Sequence, residues 1–225
     1  MIAPKPSPAS KLDPVVFIVD DDISVRESLE ALVSFAGWRP ETFASAEEFL
    51  SRAPADCPSC LILDVSLPEL NGLDLQQLLA SDRSEMPIIF VTGHGDIPMS
   101  VNAMKAGAVE FLTKPINDDA LLKAIEHAVE RSKASLHDQA DIEQLRQKYR
   151  SLTPREQEVM GLVVSGLLNK QAASVLDISE ITVKAHRGKM MQKMEANSLA
   201  DLVRMAVRLD VVPMQNPWQA VRSEE

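Results

Sequence analysis

The sequence predicts an α/β domain with a parallel sheet, followed by a smaller domain made of helices alone. Short apolar runs of strand length recur between residues 15 and 114, and segments with helical apolar spacing separate them. Alternating strands and helices are typical of a parallel sheet with helices on both faces. Beyond residue 118 apolar residues recur at helical spacing, so we expect helices there.

Five segments have the composition of strands. Val15–Val19, Leu61–Leu63 and residues 87–92 are almost wholly apolar, which is typical of strands buried on both sides. Weaker patterns predict the second strand near residues 39–43 and the fifth over residues 109–114.

A helix is predicted after each strand. Ser45 has the capping-box spacing to Glu48, and Asn117 is a typical N-cap residue. Five strands and five helices between residues 14 and 130 predict a flavodoxin-like (βα)5 fold. The helices are expected over residues 24–37, 45–50, 73–80 and 97–106, and from residue 117 onward.

Composition limits the classes of protein that fit. A chain of 225 residues with 45% hydrophobic content is long enough for two domains with real cores. It has no apolar run of about 18 residues, and the Pro/Ser-rich residues 1–13 lack the apolar segment of a secretion signal. We therefore expect a disordered leader over residues 1–13, no membrane partner and a cytoplasmic location.

The net charge of −10 is unevenly distributed. Residues 1–128 carry 9 Lys or Arg against 20 Asp or Glu, whereas residues 151–225 carry 9 against 9. The acidity thus belongs to the first domain and does not exclude DNA binding by the second.

The two cysteines, Cys57 and Cys60, form a Cys-Pro-Ser-Cys segment. A thioredoxin-like motif would open a helix, whereas this segment leads into a strand, and a zinc site would need further ligands. We expect Cys60 to be a small buried residue and Cys57 to lie in a loop.

Polar residues follow four of the predicted strands. Asp20 and Asp21 follow the first, Asp64 the third, Thr92 the fourth and Lys114 the fifth. Because parallel strands end at the same edge of a sheet, these side chains are expected to meet there.

Three neighbouring carboxylates repel one another unless a cation neutralises them, and oxygen ligands without Cys or His suit Mg²⁺. Asp64 can then attack phosphorus and form an acyl phosphate, while Lys114 and Thr92 contact the phosphoryl oxygens. The Asp-x-Asp motif of haloacid-dehalogenase phosphatases and a Walker nucleotide motif are both absent.

Residues 14–130 resemble the receiver domain of two-component response regulators. The segments that carry the resemblance occur in the family's order: Phe-Ile-Val-Asp-Asp-Asp, Leu-Ile-Leu-Asp-Val-Ser-Leu-Pro, Phe-Val-Thr-Gly-His-Gly-Asp and Ala-Val-Glu-Phe-Leu-Thr-Lys-Pro-Ile. The resemblance implies that a histidine kinase phosphorylates Asp64. It also implies that the chain is no enzyme beyond Mg²⁺-dependent self-phosphorylation and hydrolysis of the phosphoryl group.

The resemblance also assigns roles to neighbouring residues. Mg²⁺, or Mn²⁺, is held by the carboxylates of Asp20, Asp21 and Asp64 and by the backbone carbonyl of Ser66. Thr92 and the buried aromatic Phe111 form the switch with Lys114, which pairs with the phosphate, and the Lys114–Pro115 bond is expected to be cis. Dephosphorylation is tuned at two positions, Ser66 and His94.

The linker, residues 131–150, continues a helical pattern, because Asp119–Arg150 contains neither Pro nor Gly. One long helix and two helices with a break near residues 135–140 both fit. The pattern also leaves open whether the helix is only solvated or forms a dimer contact.

The second domain is predicted to be a four-helix helix-turn-helix domain over residues 151–210. Thr153, Pro154 and Glu156 mark its first helix start. Short helices from Asn169 to Leu176 and from Glu180 to Met194 surround a turn, and Ser198 caps a fourth helix. The tail, residues 211–225, has no clear pattern.

The helix Glu180–Met194 is the candidate DNA-binding element. It contains Lys184, Arg187, Lys189 and Lys193, with no acidic residue after Thr182. Such a helix can enter the major groove while its cations meet phosphates.

Three further segments resemble the LuxR-type output domain of the FixJ/NarL subfamily: Leu-Thr-Pro-Arg-Glu-Gln-Glu-Val, Asn-Lys-Gln-Ala-Ala and Ile-Ser-Glu-Ile-Thr-Val-Lys-Ala-His-Arg-Gly. By this resemblance Lys184 contacts a base edge. Thr182, Arg187 and Lys189 hold phosphates, Lys170 clamps the DNA backbone, and Lys193 is a further expected DNA contact. Asp177 stands where Gly is common, and we expect the turn to survive because Asp tolerates left-handed geometry.

The whole pattern predicts a transcription regulator that phosphorylation switches and that binds double-stranded promoter DNA. We expect a homodimer on phosphorylation and RNA polymerase as a further partner. The alternative is a regulator whose C-terminal helices bind a protein instead of DNA.

Overall fold

The computed structural model describes residues 13–82, 86–93 and 97–211. The leader up to residue 12, His94 and the tail from residue 212 lie outside the described residues. The chain forms two compact units, one ending at His137 and the other beginning at Asp138. We call them the first and the second unit.

The first unit contains a five-stranded parallel sheet in the order β2-β1-β3-β4-β5. The predicted (βα)5 fold is confirmed. The strands are β1 (Val15–Val19), β2 (Arg39–Phe43), β3 (Ser59–Asp64), β4 (Ile88–Thr92) and β5 (Glu110–Thr113). The helices are α1 (Ile23–Phe35), α2 (Ala46–Ser51), α3 (Gly72–Asp82), α4 (Ile97–Lys105) and α5 (Asp118–Arg150).

Both faces of the sheet are covered. Phe17, Leu61 and Phe90 belong to one cluster of buried side chains, and Ile62 and Ile125 belong to another. The strands β1, β3 and β4 are fully buried, whereas β2 and β5 lie at the edges and are half exposed. This difference explains why the second and fifth strands have the weaker apolar pattern.

The two cysteines lie where the sequence predicts them. Cys60 is buried within β3, and burial raises the pKa of its thiol to about 12. Cys57 precedes the strand in a loop and is buried too. Both are free thiols in the packed interior.

The linker region is one continuous helix, because α5 runs without a break through residues 135–140. Within the first unit its side chains Leu121 and Ile125 are buried, and Ser132 accepts a hydrogen bond from the backbone of Ser59 at 3.0 Å. Within the second unit Leu145 joins the core. The two-helix alternative is therefore wrong.

The second unit contains four more helices, and all four helix starts lie at or within one residue of the predicted ones. They are α6 (Pro154–Val164), α7 (Asn169–Leu176), α8 (Glu180–Met194) and α9 (Leu199–Arg208). Thr153 and Glu156 form a capping box, and Ser198 caps α9. Asp177 ends α7 in the left-handed conformation at φ 52°, so the expected turn is present.

A hydrophobic core holds α6 to α9 together with the end of α5. Val159, Leu162, Val183 and Met190 are all buried in it. No helix among the described residues is long and apolar enough to cross a membrane.

Candidate functional site

Three carboxylates converge at the carboxyl edge of the sheet. Asp20 and Asp21 follow β1, and Asp64 ends β3. Carboxylate oxygens from the three residues all lie within 4.8 Å of one another. Asp20 and Asp64 are buried, whereas Asp21 is exposed, so the cluster opens to solvent on one side.

Lys114 bridges the two buried carboxylates. Its Nζ lies 2.7 Å from Asp20 Oδ2 and 2.7 Å from Asp64 Oδ2. Burial raises the pKa of the Asp20 carboxyl, and the hydrogen bond from Lys114 only partly offsets that rise. Burial lowers the pKa of the Lys114 ammonium, but hydrogen bonds to Asp20 and Asp64 outweigh that effect and the pKa is raised.

Backbone groups fix the remaining carboxylate oxygens. The amide of Asp22 donates to Asp20 Oδ1 at 3.0 Å, and the amide of Ser66 donates to Asp64 Oδ1 at 2.9 Å. The Asp64 carboxylate is therefore held from both sides, with one oxygen on Ser66 and the other on Lys114. Ser66 itself is exposed beside the cluster.

Sequence reasoning missed two residues that support this cluster. Arg26 donates to the backbone carbonyl of Asp20 at 2.6 Å. Gly72 packs so closely that a Cβ there would overlap the carbonyl oxygen of Asp64 and lie 3.0 Å from Val65 Cα. Neither is distinctive in the sequence, where Arg26 is one of many charged helix residues and Gly72 reads only as a turn residue.

The donor set fits a hard divalent cation. Three carboxylates with one ammonium leave an excess of negative charge, and the cluster contains only oxygen ligands, which Mg²⁺ prefers. Asp20, Asp21 and Asp64 are the side chains among the described residues that could hold the ion together.

The expected switch residues lie on β4, on β5 and directly after β5. Thr92 ends β4 fully buried, and its neighbour in the register is Thr113 on β5, next to Lys114. The Lys114–Pro115 bond is cis, as predicted. Phe111 is half-buried instead of buried, because β5 is an edge strand, and its ring lies 6.1 Å from that of Phe90.

The second candidate site is the surface of α8. Lys184 and Lys189 are exposed on it, and Lys170 is exposed on α7. Lys184 pairs with Glu180 one turn earlier at 2.9 Å, and Arg187 donates to the side chain of Asn169 at 2.9 Å. Thr182 contacts the hydroxyl of the N-cap Ser179 at 2.8 Å.

Lys193, one turn beyond Lys189 on α8, is ion-paired within the second unit. Its Nζ is 2.6 Å from Glu156 Oε2 and 3.1 Å from the carbonyl oxygen of Ser151. Glu156 is only 3% exposed. The structure therefore places Lys193 in an ion pair between α6 and α8, whereas the sequence predicted a DNA contact.

Comparison with known proteins identifies the family of each unit. The family described as "Response regulator receiver domain" matches residues 16–126, and "Bacterial regulatory proteins, luxR family" matches residues 150–206. Nodulation protein W of Bradyrhizobium diazoefficiens is 51% identical over 197 residues, which cover 88% of this chain and 87% of that protein. The chain belongs to the response regulators with a LuxR-type output domain.

Other members of the family are similar over most of the chain. The transcriptional regulatory protein FixJ of Rhizobium meliloti is 43% identical over 195 residues, covering 87% of this chain and 96% of that protein. The solved structure of the response regulator StyR aligns with a TM-score of 0.74 at 46% identity, covering 87% of this chain and 99% of that chain. The response regulator is therefore a DNA-binding transcription regulator of a two-component system, and its receiver domain implies a histidine kinase partner.

Proposed function

We propose that Asp64 is the phosphoacceptor of this response regulator. The observation that carries the proposal is that both oxygens of its carboxylate accept hydrogen bonds. The Ser66 amide donates to one oxygen and the Lys114 ammonium donates to the other. In the transfer an Asp64 oxygen attacks phosphorus, the bond from phosphorus to the kinase histidine breaks, and an acyl phosphate forms.

Lys114 is released from Asp64 in this reaction. Its ammonium already lies beside the accepting carboxylate, so a short movement brings it against a phosphoryl oxygen. Asp20, Asp21, Asp64 and the Ser66 carbonyl would hold Mg²⁺, which supplies positive charge for the phosphoryl oxygens when bound. Ser66, which is exposed beside the cluster, would help to set how fast water removes the phosphoryl group. By the resemblance, His94 would be the second residue that tunes this rate.

The test is incubation of the full chain with Mg²⁺ and acetyl phosphate, followed by intact mass measurement. We expect one added phosphoryl group, its loss in the Asp64→Asn variant, and no addition in excess chelator. Asp119→Asn, an exposed carboxylate in the first turn of α5, is the matched control and should be modified like the wild type. Equal modification of Asp64→Asn would overturn the assignment.

Phosphorylation is proposed to act on the output domain through Thr92 and Phe111. Thr92 is fully buried beside the cluster, and Phe111 packs on the aromatic ring of Phe90 at the adjacent edge strand. A phosphoryl group that draws the Thr92 hydroxyl toward it would change this packing and shift the receiver between two states.

The active state is proposed to be a homodimer that binds paired half-sites and contacts RNA polymerase. One helix-turn-helix module reads few bases, so two modules are needed for specific binding. Because the protein acts on promoter DNA, we place it in the cytoplasm. Sedimentation of the wild type and Asp64→Asn with and without acetyl phosphate tests the dimer, which should form only in the phosphorylated wild type.

The DNA contacts are proposed to come from basic and polar side chains of α7 and α8, of which Lys170, Lys184 and Lys189 are exposed. Lys184 lies on the first two turns of α8, where a recognition helix meets base edges, and we assign it a guanine. Thr182, Arg187, Lys189 and Lys170 are assigned to phosphates. Arg187 would give up its hydrogen bond to Asn169 on binding.

Fluorescence anisotropy over a range of salt concentrations tests these roles. Lys189→Ala should lower affinity for all sequences and reduce the salt slope by about 1, whereas Lys184→Ala should also relax sequence preference. Arg204→Ala on α9 is the control cation and should leave both quantities unchanged. An unchanged slope in Lys189→Ala would remove it from the contact set.

A further inference from the structure

The solvent-facing side of α8 carries an apolar strip as well as cations. Ile181, in the first turn, is 79% exposed. Ala185 and Gly188 are exposed as well, and they follow Ile181 at spacings of four and three residues, so the three lie on one side of the helix. We call these three residues the apolar strip.

The strip is not part of the core of the output unit. The core side of α8 is formed by Val183, Met190 and Met194, which are fully buried. An isoleucine that leaves most of its surface in water contributes little to folding, because its apolar area stays exposed. Its apolar surface is therefore available for a ligand to cover.

The charge around the strip indicates the nature of that ligand. Lys184 adjoins Ala185 in the chain, Lys189 adjoins Gly188, and all four are exposed. Glu180, which precedes Ile181, is paired with Lys184 at 2.9 Å, so the border of the strip keeps a positive balance through Lys189. An apolar strip with a basic border fits the major groove of DNA, where phosphates flank the bases and thymine offers a methyl group. A purely apolar protein partner would leave these ammonium groups to be desolvated without a counter-charge.

The small residues allow the helix to approach closely. A Cβ added at Gly188 would meet no heavy atom within 4 Å, so the space above it is open. Ala185 extends only a methyl group. The strip thus begins with one long side chain and continues with residues that have little or no side chain. This lets the helix backbone lie near the base edges.

We propose that Ile181 and Ala185 read the 5-methyl groups of thymines in the major groove, and that Gly188 provides the clearance for this contact. Ile181 would select thymine at a step next to the base pair that Lys184 contacts, because the two residues are neighbours on the first turns of α8. The proposal rests on the proposed DNA contacts of α8 and adds a determinant of sequence preference to them.

The experiment removes only the methyl groups. Full-length protein treated with Mg²⁺ and acetyl phosphate selects its preferred duplex from a random library. Each thymine of that duplex is then replaced in turn by deoxyuridine, and binding is measured by anisotropy. We expect selected thymines at defined positions, and about a fourfold loss of affinity at the one that Ile181 covers, as one methyl group is no longer buried.

Variants of Ile181 test whether this residue contacts the thymine methyl group. Ile181→Ser should bind the thymine and deoxyuridine duplexes equally, whereas Ile181→Val should retain a reduced preference for thymine. Deoxyuridine outside the selected half-sites is the control and should change nothing. Because Ile181 is exposed, its variants should fold like the wild type, which circular dichroism checks.

The outcomes separate this proposal from the proposed function. Unchanged binding of every deoxyuridine duplex, or the same discrimination by Ile181→Ser as by the wild type, overturns thymine reading even where Lys184→Ala weakens binding. Normal discrimination by Ile181→Ser with reduced transcription in vitro would assign Ile181 to a protein contact instead. Failure to enrich any duplex would overturn the DNA contacts and this proposal together.

Discussion

Each unit of this response regulator contains a lysine paired with a buried carboxylate, and the two pairs differ in their electrostatics. In the receiver, Lys114 lies 2.7 Å from both Asp20 and Asp64. In the output unit, Lys193 lies 2.6 Å from Glu156, which also accepts a hydrogen bond from the backbone of Thr153. Burial raises the pKa of Asp20, whereas the hydrogen bonds from Lys193 and the Thr153 backbone lower the pKa of Glu156.

The two pairs differ in whether the negative charge of the carboxylates is neutralised within the protein. The Glu156 carboxylate accepts hydrogen bonds from the Lys193 ammonium and from the backbone amide of Thr153, so its ionised form is stabilised in the folded state. The receiver cluster has one lysine for several carboxylates and retains negative charge. It is stabilised fully only by further cations, which is the property that the proposed phosphoryl transfer needs.

The largest effect is expected from a comparison of two glycines. Gly72→Ala should destabilise the receiver by about 3 kcal/mol, because the added methyl group overlaps the Asp64 carbonyl. Gly188→Ala should stabilise α8 by about 0.5 kcal/mol, since its position is open and alanine favours helices. Hydrogen exchange, followed separately in each unit of the full chain, measures both changes. Equal effects would show that the receiver site is not tightly packed.

Breaking the output pair tests whether it is structural. Lys193→Met should destabilise the output unit by about 2 kcal/mol, because Glu156 would remain buried without its lysine. We expect less than for a fully buried pair, since the Lys193 side chain is 36% exposed. Lys189→Met, on the exposed side of α8, is the matched control and should leave hydrogen exchange unchanged. A large loss of DNA affinity in Lys193→Met without loss of stability would restore the predicted DNA contact.

Removing a carboxylate from the receiver cluster should raise stability, in contrast to the loss expected for Lys193→Met. Asp20→Asn should stabilise the receiver by about 1 kcal/mol at neutral pH in chelator, because it removes a buried charge and, to a smaller extent, relieves repulsion with Asp64. The amide oxygen can still accept from the Asp22 backbone. Hydrogen exchange of the receiver measures the gain, and the same variant should lose Mg²⁺-dependent phosphorylation. A loss of stability would mean that the Lys114 bridge outweighs the repulsion.

The smallest effect is the pH dependence of the output unit. The folded pKa of Glu156 lies below its usual 4.5. Its contribution to stability is therefore complete above pH 4.5 and is lost as the pH falls through the lower folded pKa. Chemical denaturation can be followed by the fluorescence of the single tyrosine, Tyr149, which packs against the output core. The free energy of unfolding should fall less steeply with decreasing pH in Glu156→Gln than in the wild type. Parallel pH profiles for the two proteins would contradict this linkage.

Local sequence signals were sufficient for most of the fold. The apolar runs of β1, β3 and β4 predicted buried parallel strands, because a strand covered on both faces needs apolar residues at every position. Capping residues such as Ser45, Thr153 and Ser198 predicted helix starts, since the bonds they make lie within three residues. Parallel topology then brought Asp20, Asp64 and Lys114 to one edge.

Contacts between distant residues were beyond the reach of the sequence pattern. Beyond Thr182 the charged residues of α8 are all basic, and only the packing of α6 against α8 placed Lys193 on Glu156, 37 positions away. The hydrogen bond from Arg26 to the Asp20 carbonyl and the close approach of the Gly72 backbone to Asp64 likewise depend on the folded backbone. The unbroken course of α5 was one of two patterns that fitted equally well.

The sequence by itself determined the order of strands and helices, the set of polar side chains at the carboxyl edge of the sheet and the family to which the chain belongs. Those properties follow from residue types at short spacings, where backbone geometry is nearly fixed. Only the tertiary structure decided which cation pairs with which carboxylate and which face of α8 is exposed to solvent. Burial and charge pairing depend on distances between residues that lie far apart in the chain.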